Sequence, residues 1–353
     1  MEPTRKVELN KCESCGANME FNPETQMLFC PSCGAEKDFE KNRQVAEIAI
    51  AEAFAEAEKP DEQTKVYRCE NCGAAVVVNV DEVASECPFC STPYVVESDE
   101  LFGLKPTAVY PFTFDKEEAL LKAKRHIKKK LFCPRKFKKS IDAKSVKGMY
   151  LPCFTFDSST TSSYSGRIGK RHTRTVRTRN GMRTETYIVW RNVSGSISRW
   201  FDDVTVSATT KIDAKAFSKI TPFNRETICV YEKSFLSGFF ATHYEKNIRT
   251  AWEEAQAQME KEIRRAIIAQ YDCDEVAYLN VSTAHSDVTY KYVFFPVYLL
   301  LYKYKKKDYG LILNGNTGKA TGKMPVSPLR VAIATLLGGG ILGLLLWGIT
   351  MLL

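Results

Sequence analysis

Apolar and polar positions along this chain alternate in two rhythms, and each predicts a different element. Leu120, Ala123, Ile127 and Leu131 recur at steps of three and four, one face of a helix. Asp115 is placed to cap it, Glu117 and Glu118 sit in its first turn, and Pro134 ends it. A second helix is predicted over "EKNIRTAWEEAQAQMEKEIRRAIIAQ", with Ile248, Trp252, Ala255, Met259 and Ile263 on its buried face. Between the helices the rhythm shortens. "GMYLPCFTFD" and "YSGRIGKRHTRTVRTRNGMRTETYIVWRNVSGSISRWF" read as strands, with a hairpin turn at Asn180-Gly181 and another bend at Asn192-Val193-Ser194-Gly195. "KYVFFPVYLLLYKYK" and "DYGLILNGNTGKATGK" supply further strands and a tight hairpin.

Toward the N-terminus, "MEFNPETQMLF" and "AVVVNVDEVASE" read as short hairpins bending at Asn22-Pro23-Glu24 and Asn79-Val80-Asp81. "FEKNRQVAEIAIAEAFAEAEKP" lies between them, rich in Ala and Glu and stopped by Pro60. It predicts a helical spacer with Val45, Ile48 and Ala55 as a weak apolar stripe. At the other end, Val331 to Leu353 carries no charge, long enough for a membrane-spanning helix.

The cysteines change the picture. Cys12-x2-Cys15 and Cys30-x2-Cys33 repeat as Cys69-x2-Cys72 and Cys87-x2-Cys90. A shift of 57 superposes all eight, along with Gly16 on Gly73 and Pro31 on Pro88. This is an internal duplication. Each pair of turns supplies four sulfurs, the closed tetrahedral set of structural zinc, so two structural zinc ions are expected. Iron in a rubredoxin-like site is the alternative. A closed site leaves no position for activating water, and catalysis by these metals is not expected. "MEPTRKVELN" lacks the apolar stretch of a secretory leader, which favours metal thiolates over disulfides.

Charge divides the chain. Residues 1–100 hold 9 Lys+Arg against 21 Asp+Glu, whereas the whole chain holds 50 against 42. The ribbons are therefore acidic, and four thiolates on zinc add roughly two negative charges each. That argues against phosphate binding by the ribbons and for docking to protein or to the chain's own basic half. The basic half has two concentrations: Lys122, Lys124, Arg125, Lys128, Lys129 and Lys130 on the first helix, continued by Arg135, Lys136, Lys138 and Lys139; and Arg167, Lys170, Arg171, Arg174, Arg177, Arg179 and Arg183 on the hairpin. These suit anionic lipid, nucleic acid with Tyr164 or Trp190 to stack, the acidic ribbons, or plain solvent.

Signals of catalysis are weak. His126, His172, His243 and His285 are scattered, and Cys133, Cys153, Cys229 and Cys273 are isolated. "GNTGKATGK" lacks the first Gly and the final Ser or Thr of a phosphate loop. The fold class expected is multidomain: two tandem zinc ribbons, an α+β middle domain with antiparallel strands and two helices, and one C-terminal transmembrane helix. The boundaries are 8–40 for the first ribbon, 41–63 for the spacer, 64–98 for the second ribbon, 103–325 for the middle domain and 331–353 for the tail. With Lys319, Lys323 and Arg330 before the tail, the expectation is a cell-membrane, single-pass protein with its domains in the cytosol. Gly339 and Gly343 would offer a homodimer contact.

With "GMYLPCFTFDSSTTSSYSG", "LSGFFATHYE", "FFPVYLLLYKYKKKDYGLILNGNTGKATGKMP", the ribbons and the apolar tail together, the chain resembles bacterial double-zinc-ribbon membrane proteins. These carry labels such as primosomal-helicase-like or transcription-factor-IIB-type zinc-ribbon protein. The resemblance implies a cytosolic face of the membrane and association with membrane-stress proteins of the phage-shock-protein-A or SPFH type. It carries no catalytic residues. The function expected is a non-enzymatic, tail-anchored adaptor. The alternative is a membrane-tethered nucleic-acid-binding protein acting through the Arg-rich hairpin.

Overall fold

The computed structural model describes residues 12–336, except 18, 57–59, 62–64, 69–71, 79–83, 87–88, 91–92, 96–100, 103, 105, 140–145, 179–180, 211, 243 and 305–306. The first ribbon is a three-stranded sheet of β1 (Glu20–Asn22), β2 (Met27–Phe29) and β3 (Glu36–Lys37). Its bend forms as the residues predict, because the Asn22 side chain accepts from the Glu24 amide at 2.9 Å. The matching bend expected at 79–81 lies outside the described residues. The spacer holds β4 (Ile48–Ala49) and a short α1 (Ile50–Glu56) rather than one long helix. β5 (Pro60–Asp61) follows, then β6 (Lys65–Arg68), β7 (Ala75–Val78), β8 (Ala84–Glu86), β9 (Pro93–Val95), β10 (Leu101–Phe102) and β11 (Ala108–Val109). Next come α2 (Lys116–Lys128), α3 (Arg135–Lys139), β12 (Val146–Thr178), β13 (Gly181–Ser207), α4 (Ala214–Ile220), β14 (Cys229–Val230) and β15 (Phe240–Thr242). The chain then forms α5 (Ile248–Ala269), β16 (Glu275–Tyr304), β17 (Lys307–Asn314) and β18 (Ala320–Gly322).

The expected string of separate modules is corrected by the sheet. Eleven strands join in one curled, largely antiparallel sheet, in the order β14-β11-β16-β12-β15-β7-β6, with β13 on β12, β17 and β4 on β16, and β18 on β17. The second ribbon's hairpin is part of it, since Ala241 of β15 pairs with Val77 of β7. The spacer is part of it too, since Tyr290 pairs with Ile48. Strand pairing satisfies backbone groups that an edge would leave open, which is why short flanking strands are drawn onto a large sheet.

The sheet's inner strands are covered on both faces. Tyr150, Phe154 and Phe156 pack with α2, α5 and the first ribbon, whereas Met149, Leu151 and Cys153 pack with Phe217, Ile220 and Phe223 on the other side. This explains the nearly unbroken apolar run "YLPCFTF". α2 is capped by Asp115, which accepts from the Glu118 amide at 2.7 Å, and buries Ala119, Ala123 and Ile127. Leu131 lies beyond its end and is exposed. α5 buries Ile248, Ala251, Ala255, Met259, Ile263 and Ile267, with Trp252 partly buried against Phe156.

Two further expectations are corrected. No turn forms at 192–195, because β13 runs through it in register with β12. Gly195 is there for clearance instead: a Cβ would lie 2.7 Å from the Tyr164 hydroxyl. The membrane-spanning tail is also corrected, and with it the single-pass placement that rested on it. Among the described residues, no helix is long and apolar enough to cross a membrane. The tail's described start is a helix over 328–336 tied back to the body, with Arg330 donating to the carbonyls of Leu131 and Cys133 at 2.9 and 2.7 Å. The rest of the expected span, including Gly339 and Gly343, lies outside the described residues.

Candidate metal centre and binding surfaces

The thiols of Cys12, Cys15, Cys30 and Cys33 lie within 4.8 Å of one another. Cys12 and Cys33 are 3.5 Å apart at sulfur, as are Cys15 and Cys30. A regular tetrahedron with metal–sulfur bonds of about 2.3 Å separates its sulfurs by about 3.8 Å, so the set is compatible with one zinc ion. Two matching turns build it. The Gly16 amide donates to the Cys12 carbonyl at 2.8 Å, and the Gly34 amide to the Cys30 carbonyl at 2.9 Å. Both glycines are left-handed, at φ 72° and 77°, which other residues adopt at a cost.

The electrostatics show why a cation belongs there. Amides of Cys15 and Ser14 point at the Cys12 sulfur and lower its pKa to about 6. At Cys33 the Ala35 amide favours the thiolate, but the neighbouring thiols outweigh it and push the pKa up to about 12. Four thiols this close cannot all ionise without a metal to share their charge.

The first ribbon faces inward. Phe21 and Phe39 meet the buried ring of Phe235 edge-on at 5.3 and 5.0 Å, the Phe21 amide donates to the Ser237 carbonyl, and Gln26 donates to the Phe112 carbonyl at 2.7 Å. Apolar packing, rather than charge, holds it on the body. In the second ribbon Cys72 and Cys90 are partly buried, while Cys69 and Cys87 lie outside the described residues. Gly73 repeats the left-handed turn at φ 68°.

The Arg-rich hairpin forms the end of a three-stranded arm. Residues 158–178, 181–201 and 275–288 pair with one another and with no other described strand. Arg167, Lys170, Arg171, Arg174, Arg177 and Arg183 are placed on it, and Arg179 lies outside the described residues. The acids that meet them are not those of the ribbons. Lys170 pairs with Asp272, Arg171 with Glu275 at 2.7 Å, and Arg174 with Glu185 at 3.2 Å. Arg167 lies over Trp190 at 5.9 Å and Arg174 over Tyr187 at 5.6 Å. Tyr164, expected to stack on a ligand, is buried and shares a 2.8 Å hydrogen bond with Tyr271. Lys128, Lys129 and Lys130 sit at the end of α2, which packs against β12, β17 and β18. The two basic concentrations therefore belong to different elements.

One cluster was not foreseen. Asp157 is fully buried where the registers of both neighbouring strands shift, between Phe156 and Ser158 toward β13 and between Asp157 and Ser159 toward β16. Asp203 and Asp287, on the bulging partners, take left-handed φ values of 55° and 51°. Bulges re-aim side chains. Here they gather Asp157, Asp203 and Glu47 around the Lys291 ammonium at 3.3, 2.8 and 3.0 Å. Arg225 adds ion pairs to Asp202 and Asp203. Burial pushes the Asp157 carboxyl up. Burial works against the Lys291 charge, but Asp203 and its neighbours outweigh it and hold the ammonium charged well above its ordinary range. Lys291 and Arg225 offset part of the carboxylate charge, and Asp157, Asp202 and Asp203 still bring oxygens within 4.8 Å of one another, close enough to share a cation. The cluster's signal in the sequence is a lone Asp after "FTF" and a lone Lys in "TYKYVFF".

No family model matches this chain, and no solved structure matches it. It is similar to the uncharacterized protein YdjG of Bacillus subtilis (strain 168), 28% identical over 244 residues that cover 68% of this chain and 70% of that protein.

Proposed function

We propose that the protein is a non-enzymatic binding scaffold. Zinc staples the N-terminal ribbon to a large sheet, and the sheet projects a three-stranded arm as its partner-binding element. We assign a second zinc to Cys69, Cys72, Cys87 and Cys90, on the repeated spacing and on the matching left-handed Gly73. The observation that carries the reading is the arm itself, whose two outer strands leave their edges open to a partner strand among the described residues. An adaptor role toward a protein partner, including the phage-shock-protein-A and SPFH types that the resemblance implies, fits such an element. The test is an arm-shortened variant lacking 169–190, with Ile168 joined to its cross-strand partner Arg191 by an Asn-Gly turn. Its urea midpoint is expected to stay near wild type while crosslinked partners disappear. An unchanged set of partners would refute the scaffold reading.

A second reading is favoured by the stacked arginines at the tip, namely nucleic-acid binding by Arg167 on Trp190 and Arg174 on Tyr187. It predicts salt-sensitive binding to DNA. Changing Arg177 and Arg183 to Ala should lower the log–log salt slope by about 0.9 for each phosphate no longer neutralised. Binding with an unchanged slope would exclude the tip.

A further inference from the structure

The arm has two unlike faces. One carries Ser162, Tyr164, Ile168 and Leu279 and is covered by α5. The other carries positions 159, 161, 163, 165 and 167 of β12, 192, 194, 196, 198 and 200 of β13, and 278, 280, 282, 284 and 286 of β16. All of these are exposed except Ser159, which is half-buried. A 3.3 Å approach between the hydroxyls of Thr161 and Ser198 places both side chains on this side.

The composition of that face is unusual. Of its fifteen residues, eleven are Ser, Thr or Asn, and one, Arg167, is charged, in a chain that is 26% charged. Strands on a solvated face favour Thr, Tyr and Val, while Asn is depleted. Folding needs none of these serines, because the covered face supplies the packing. Short side chains keep the surface flat and leave hydroxyls and amides standing on it. Aromatic rings mark its ends: Trp200 at the inner end is 57% exposed, and Tyr278 at the outer end is 50% exposed. Eight residues of β13 separate those ends, about 27 Å of strand, on a surface three strands or roughly 10 Å wide.

At the inner end the face runs into a cleft of about 400 Å³ lined by Trp200, Thr155, Asp202, Asp203, Arg225 and Phe223. Thr155 is only 2% exposed, and its hydroxyl has no hydrogen-bond partner. An unmet buried hydroxyl is costly, and it marks a place where a ligand's polar group would be bound.

We propose that this face and its cleft bind a neutral polysaccharide. The charge of the surface selects the partner. A polyanion requires cations along its length, but the face carries only Arg167, and Arg225 in the cleft is already paired with Asp202 and Asp203. A packed protein sheet requires an apolar inner face, and serine is depleted at protein–protein interfaces, whereas Ala284 is the sole aliphatic residue on this one. A neutral polymer of hydroxyls matches rows of hydroxyls and amides, and its apolar ring faces stack on Trp200 and Tyr278. The proposal shares Arg167 with the nucleic-acid reading, and the heparin control separates the two.

The test is affinity electrophoresis of the full chain in gels containing amylose, laminarin or hydroxyethylcellulose, with heparin as a polyanion control. Retardation is expected in at least one neutral gel. Trp200→Ala or Tyr278→Ala should weaken it about tenfold, the equivalent of roughly 1.4 kcal/mol of stacking. Ser196→Lys and Ser282→Lys, at exposed positions, should weaken it with unchanged circular dichroism. Absence of retardation in every neutral gel would overturn the proposal, as would retardation indifferent to these changes. Self-association that Ser196→Lys abolishes would overturn it in favour of a second copy of the chain.

Discussion

Changing Cys30 to Ser is expected to remove metal from the first ribbon and release residues 12–37 from the body. The buried thiol is one of four that converge within 4.8 Å, and three sulfurs cannot close the tetrahedral site. So short a ribbon has little core of its own: among its described residues, Met19, Phe21, Pro23 and Leu28 are the buried apolar side chains besides the cysteines. Zinc contributes about 10–16 kcal/mol in comparable peptides, far more than such a core. Elemental analysis should therefore show the loss of one zinc, and hydrogen exchange should show lost protection over β1, β2 and β3. The buried ring of Phe235 should then become accessible, since Phe21 and Phe39 cover it. Full zinc content with full protection in Cys30→Ser would refute the assignment of this site.

Changing Lys291 to Met is expected to cost about 3–5 kcal/mol, the usual effect of leaving buried charge without its partner. Asp157 is wholly buried and Asp203 largely so, and each lies within 3.3 Å of the Lys291 ammonium. Adding Asp157→Asn to the same chain should restore part of that stability, which equilibrium denaturation in urea would show. The pH dependence has a definite sign. A carboxyl raised by burial, as Asp157 is, contributes stability below its ordinary range and loses it as pH rises through its raised value. Glu47 behaves oppositely. Burial opposes its charge, but the Lys291 hydrogen bond and charge prevail and lower its pKa, so its contribution fades as acid protonates it. Both effects make Lys291→Met less harmful in mild acid than at neutral pH. Equal destabilisation at both would show that the ammonium does not balance these carboxylates.

The residues carried their own local structure plainly. Asp115 capped α2, Asn22 turned the first hairpin, and the spacing of Ile248, Ala255, Met259 and Ile263 set the buried side of α5. The two Cys-x2-Cys turns of the first ribbon converge as their spacing predicts. All of these rest on interactions a few residues apart, or on a metal geometry with little freedom.

What failed to show was long-range. The Asn192–Gly195 segment looked like a turn because its composition suits one, but pairing with β12 on one side outweighed local preference. The acidic partners of Lys170 and Arg171 came from 272–275, about a hundred positions away, so a run of basic residues in sequence was not an unpaired patch in space. The ribbons and spacer read as separate beads, yet β4, β6 and β7 are strands of the central sheet.

The chain's order of residues was thus enough to specify the cysteine turns of the first ribbon, the caps, the helix faces and the hairpin of β12 with β13, each held by near neighbours. Tertiary structure alone set which edges join, which face of the arm stays open, and that Lys291 meets Asp157 from 134 positions away. The physical reason is that strand pairing is non-local, and that one extra residue in a neighbouring strand moves every side chain beyond it to the other face.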